Sequence, residues 1–168
     1  MKHATALLLL AAGSAMALAA DAEPLESGLR HALQLKRGTA ERTGTSGQAI
    51  RAYMQAGLVS KTPQQRFDYT DYYLVNKPTP FLGHELVLIE EEYIDKYIGC
   101  CVSPGAGVTV KVHGSTQKLQ QFARANRCTL RDNVDLAHEL REVAIKTRVA
   151  SAHYASLSCR ERDAEREP

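Results

Sequence analysis

The chain has no tryptophan and only three phenylalanines among its 168 residues, so aromatic recognition falls to its seven tyrosines. It has no large excess of either charge. Lys and Arg number 21 against 19 Asp and Glu, a formal net charge of +2. That balance removes the whole-molecule electrostatic reason to expect nucleic-acid binding. No stretch reaches the roughly 18 consecutive apolar residues that suggest a spanning helix, so no membrane span is expected. The sequence lacks G-x-S-x-G and H-E-x-x-H. It also lacks the C-x₂-C and H-x₃₋₅-H spacings of a zinc site. Gly105-Ala106-Gly107 has neither the lysine nor the spacing of a phosphate loop. These absences leave no expected catalytic residue, metal ligand or cofactor. With 44% hydrophobic and 24% charged residues, the composition excludes wholesale disorder. The length suits a single domain with an accessory segment.

The N-terminus is laid out as an export signal. Lys2 and His3 precede the apolar run Ala4–Ala12, and small residues follow. Ala17-Leu18-Ala19 and Ala20-Asp21-Ala22 both fit the cleavage rule, so residues 1–22 are read as a signal peptide cut after Ala19 or Ala22. Loss of residues 1–19 takes away Lys2 and leaves 20 basic against 19 acidic residues. The mature protein is expected to be periplasmic or secreted.

Four cysteines, Cys100, Cys101, Cys128 and Cys159, agree with an oxidising compartment and predict two disulfides. Adjacent Cα atoms are only about 3.8 Å apart, short for an ordinary bridge. The expectation is therefore that Cys100 and Cys101 reach out separately to Cys128 and Cys159. The competing readings are a zinc site, which the spacing argues against, and a redox or strained vicinal pair at Cys100–Cys101.

Residues 23–47 are read as a flexible N-terminal segment, with Gly38–Gly47 as a linker. Residues 48–163 form one α+β domain, and 164–168 a frayed tail. Ile50, Tyr53, Met54 and Leu58 predict a helix after Ser46, ended at Gly57. Arg66–Val75 reads as one aromatic-rich strand and Leu82–Glu91 as a buried strand. Residues 94–102 and 107–113 read as a hairpin across a turn at Ser103–Gly107. A helix is expected over 116–126 and a short one near Asn133. Alternation over Val143–Val149 and over 153–161 predicts a second hairpin, against the alternative of one helix over 134–162. Together these make an antiparallel sheet of four to six strands, with one or two helices packed on one face.

The candidate binding residues are Tyr69, Asp71, Tyr72, Glu90, Glu91 and Glu92, an acidic and tyrosine-rich set. Tyrosine offers area, few rotors and a polar tip, and acidic charge would steer a partner with a basic surface. The function expected is that of a small exported protein-binding protein, an inhibitor or immunity protein against a secreted toxin or lytic enzyme. The alternatives are a cell-envelope hydrolase using His84, His113 or a glutamate from 90–92, and an assembly component that dimerises through an exposed edge strand near 153–161.

Overall fold

The computed structural model describes residues 13–94 and 102–165, with side chains from Glu23 onward. In chain order the elements are α1 (Gly13–Leu33), α2 (Ser46–Gln55), β1 (Gln65–Phe67), β2 (Thr70–Leu74), β3 (Pro80–Phe81) and β4 (His84–Glu92). There follow β5 (Gly105–Lys111), α3 (Gln117–Ala125), β6 (Thr129–Arg131), α4 (Leu136–Glu142), β7 (Tyr154–Arg160) and α5 (Glu161–Glu165). The strands form one antiparallel sheet in the order β1-β2-β4-β5-β7-β6, and β3 pairs with the start of β4. The α+β class holds, with seven strands and five helices among the described residues.

Each face of the sheet has its own apolar cluster. Ala106, Val108 and Val110 of β5 and Ala155 and Leu157 of β7 point to one face. There they meet Leu29 and Leu33 of α1, Ile50 and Tyr53 of α2, and Leu119 and Phe122 of α3. The opposite face carries a smaller cluster in which Leu136 and Leu140 of α4 cover Leu88 and Tyr154. Helices therefore lie on both faces rather than on one. A register shift between Leu86 and Leu88 makes this possible. The extra residue of the bulge lets Leu86 and Ile89 both reach the main core while Val87 and Leu88 both face α4.

Residues 23–47 are not loose. Leu29 and Leu33 are fully buried, each contributing roughly 1.5–3 kcal/mol of apolar burial. The stretch read as a linker contains Arg42, whose Nη1 donates to the Leu33 and Asn126 carbonyls at 3.1 and 2.6 Å. Its Nη2 donates to the Arg160 carbonyl at 3.0 Å. One guanidinium thus ties the ends of α1, α3 and β7 together. At the other terminus Ala164 is buried, and residues 166–168 lie outside the described residues.

Five other expectations change. Arg66–Val75 is two strands joined by a two-residue turn at Asp68-Tyr69, because Phe67 pairs with Thr70. β5 pairs with β4 on one side and β7 on the other along its whole length, leaving no edge for 94–102, most of which lies outside the described residues. β7 is likewise interior, between β5 and β6, so 153–161 is not an exposed edge. The alternation over Val143–Val149 finds no free strand to join; Val143, Ile145 and Val149 pack on the smaller cluster instead. The single long helix over 134–162 is also excluded, since α4 ends at Glu142.

The disulfide observed joins Cys128 to Cys159, with Cα atoms 4.5 Å apart. The expectation that both bond to Cys100 and Cys101 is overturned. The sheet explains why: Thr129 pairs with Ser158, which sets Cys128 beside Cys159. Cys100 and Cys101 lie outside the described residues, so one disulfide is seen rather than two.

Candidate functional site

On the α4 side, the sheet is apolar at one end and polar at the other. The antiparallel registers set Tyr72, Glu90, Gly107, Ser158 and Thr129 in one row across five strands. The next row holds Thr70, Glu92, Gly105 and Arg160. Thr70, Tyr72, Glu90, Glu92 and Arg160 of these rows form the floor of a groove of about 530 Å³. One wall is the β1–β2 hairpin, through Phe67 and Asp68. The other is α4 and its end, through His138, Glu139, Glu142 and Val143.

The floor is organised around Arg160, which is 7% exposed. Its Nη2 donates to Glu90 Oε2 at 2.7 Å and its Nη1 to Ser158 Oγ at 2.8 Å. Its Nε lies 2.8 Å from Glu92 Oε2, but no hydrogen bond forms along the N–H direction, so this contact is ionic. Burial alone would ease the proton off the guanidinium. Glu90 and Glu92 outweigh burial and hold Arg160 above the ordinary arginine value. Arg162 grips Glu92 with two bonds of 3.0 and 2.8 Å. Glu92 also accepts the Ser103 N–H at 2.8 Å. Burial, reinforced by Glu90, pushes the Tyr72 hydroxyl up to about 12, so it stays protonated and able to donate.

Gly105 and Gly107 were read as part of a turn, but they lie within β5, and the crossing arginine is the reason. A Cβ on Gly107 would come 3.1 Å from Glu90 Oε2 and 3.4 Å from Arg160 Nη1. At Gly105, with φ +142°, it would come 2.7 Å from the Arg160 Cα. Asp163 braces the end of β7 on the same face. It accepts from Thr129 Oγ1 and Ser158 Oγ, both at 2.6 Å, and from the Arg160 N–H at 2.9 Å. Burial opposes its ionisation, yet these three donors hold its carboxyl below the usual range.

The hairpin wall is strained. Asp68 and Tyr69 have φ of +46° and +65°. Two consecutive left-handed residues between paired strands form the mirror-image hairpin turn that Asn-Gly normally fills. A bulky residue there is an outlier. The tip also presents Phe67, one of two large apolar side chains that are half exposed among the described residues; the other is Ile94, just past the end of β4.

The six residues singled out from the sequence are divided by the sheet. Tyr72, Glu90 and Glu92 line the groove, and Tyr69 sits at the hairpin tip next to it. Asp71 and Glu91 point to the other face. Asp71, 4% exposed, accepts from the hydroxyls of Tyr73 at 3.4 Å and Tyr93 at 3.0 Å and pairs with Arg66 at 3.2 Å. Glu91 accepts from Ser46 Oγ at 2.7 Å, so Ser46 does not cap α2. The histidines considered for hydrolysis are elsewhere. His84 opens β4, six residues and roughly 20 Å of strand from Glu90. His84 is buried, and its Nδ1 accepts the His113 N–H at 3.1 Å. His113 itself is exposed beside Glu85. Among the described residues no group of three or more His, Cys, Asp or Glu could hold a metal ion, and no helix is long and apolar enough to cross a membrane.

Sequence reasoning missed Phe67, Asp68, Arg131, Glu139, Arg160 and Arg162. A signal existed for part of this: Tyr154, Ser156, Ser158 and Arg160 alternate with apolar residues, marking a polar sheet face. Compared with known proteins, the chain matches no family model, no curated protein and no solved structure.

Proposed function

We propose that this is an exported protein-binding protein, an inhibitor or immunity protein that neutralises a secreted toxin or lytic enzyme in a bacterial periplasm. The observation that carries the binding reading is the hairpin tip. Two consecutive non-glycine residues are held at positive φ, and Phe67 is held half exposed, at the mouth of a polar groove. Strain of this kind costs on the order of 1–3 kcal/mol per residue and concentrates at functional sites. Asp is an ordinary first residue for this turn, whereas a glycine in place of Tyr69 would make it without strain, so the Tyr69 side chain serves something other than the turn.

Binding is favoured over hydrolysis because the groove's arginines and most of its carboxylates engage one another. They form a rigid, neutralised floor rather than a pair of groups free to move protons. Edge-to-edge assembly draws little support, because the edge strands β1, β3 and β6 are only two or three residues long. Two features fit export. A disulfide persists in oxidising compartments. Removal of residues through Ala22 would also leave Pro24, now inside α1, in the first turn of the remaining helix, where its missing N–H has no partner to lose.

The test is affinity capture of the oxidised mature protein from its own culture, with mass spectrometry of the retained material and Phe67→Ala run in parallel. The expected result is one stoichiometric protein, released by salt and lost with Phe67→Ala. An empty capture, or one indifferent to Phe67, refutes the reading.

A further inference from the structure

We propose that the groove receives a lysine or arginine side chain carried on a basic segment of the partner protein, a reading that rests on the protein-binding function above. The lining holds five carboxylates, Asp68, Glu90, Glu92, Glu139 and Glu142, against the three guanidiniums of Arg131, Arg160 and Arg162. Every one of those cations is engaged within the chain. Arg131 forks onto Glu139 at 2.6 and 3.2 Å, Arg160 meets Glu90 and Glu92, and Arg162 holds Glu92.

Two carboxylates are left over, one on each wall. Asp68 has no hydrogen-bond or ion-pair partner among the described residues. The Glu142 side chain is 71% exposed, with only His138 near it, at 3.8 Å. The groove is therefore acidic by two charges although the whole chain is nearly neutral.

The sign of the ligand follows. An anion would have to take Arg131 or Arg162 from a carboxylate that already holds it with two bonds, and it would enter between uncompensated carboxylates. A cation meets Asp68 on one wall and Glu142 on the other, and displaces no arginine from its carboxylate. Phe67 at the mouth suits the methylene stem of a long basic side chain, whose apolar part packs on apolar surface while the charge continues to the polar end. The protonated Tyr72 hydroxyl and Glu90 lie on the floor beneath.

The experiment titrates the oxidised mature protein with a hexa-arginine peptide, and separately with hexa-glutamate, at low salt, following the ¹H–¹⁵N amide spectrum. Saturable shifts centred on Phe67–Tyr72 and Glu139–Val143 are expected with hexa-arginine and not with hexa-glutamate. The double variant Asp68→Asn/Glu142→Gln, both at exposed sites and checked for an unchanged Tm, should weaken the peptide about tenfold. Shifts scattered over other surfaces, equal response to hexa-glutamate, or unchanged affinity in the double variant overturns the inference. Partner capture separates the two claims. If a Phe67-dependent partner is captured but the peptide ignores the groove, the cation preference fails and the binding function stands. If the peptide occupies the groove but capture is empty, the preference holds and the partner reading fails.

Discussion

Replacing Asp68-Tyr69 by Asn-Gly should make the protein more stable and a worse binder. In the native turn Tyr69 sits at φ +65°, where an L-residue with a Cβ costs roughly 1–2 kcal/mol. Asn tolerates this region, and Gly enters it freely. Against that gain, glycine gives the unfolded chain extra freedom, worth about 0.4–1 kcal/mol. The main-chain bond from the Tyr93 N–H to the Tyr69 carbonyl, 3.2 Å, needs no side chain and survives. The net expectation is stabilisation by about 0.5–1 kcal/mol, a rise in Tm of about 2–3 °C for a chain of this size. Urea unfolding followed by circular dichroism at pH 7, with an unchanged m-value, reads the stability. The same variant should bind the captured partner at least about tenfold more weakly, because the Tyr69 side chain and the Asp68 charge are both gone. Destabilisation by more than about 1 kcal/mol would mean that Tyr69 is a packing residue and that the strain argument is wrong. A more stable variant with full affinity would mean that the strain serves no recognition.

Two further outcomes follow from the fold. Non-reducing peptide mapping should recover Cys128 cross-linked to Cys159, and Cys128→Ser/Cys159→Ser should lose roughly 3–4 kcal/mol in urea, since the bridge spans 31 residues of chain; a cross-link from either cysteine to Cys100 or Cys101 would contradict the register of β6 on β7. His84 should make the protein acid-sensitive. Burial first, then the charges of His113 and Lys118, lower its pKa in the fold, so its contribution is fully present above the unfolded value of about 6.5 and is lost as pH falls through the folded value. Protonation would also set an Nδ1–H against the His113 N–H, a clash worth about 1–3 kcal/mol. His84→Gln keeps an acceptor and cannot gain a proton. Its urea midpoint should fall less than that of the wild type below pH 6, and parallel curves for the two proteins would refute the assignment.

The sequence by itself determined the features that depend on local pattern. Alternation at Val108 and Val110, and at Tyr154 through Arg160, specified two strands and which side chains share a face, because strand periodicity needs no distant partner. Three- and four-residue spacing located α2 and α3, and the Asp135 side chain that accepts the His138 N–H at 2.9 Å starts α4 close to the expected point. Tertiary structure alone decided the rest. Val143–Val149 carries a strand pattern, but its expected hairpin partner β7 already has β5 on one side and β6 on the other. Asp68-Tyr69 turns the chain with no Gly or Asn to announce it. Arg42 looks like linker composition and becomes a clip only because three chain ends meet around it. Glu90, Glu91 and Glu92 are one acidic run in sequence, yet the pleat sends Glu91 to Ser46 and the other two to Arg160, 68–70 residues further on. Charge pairing across the sheet is a long-range property, and it turns an apparent acidic patch into a neutralised floor with its free carboxylates on the walls.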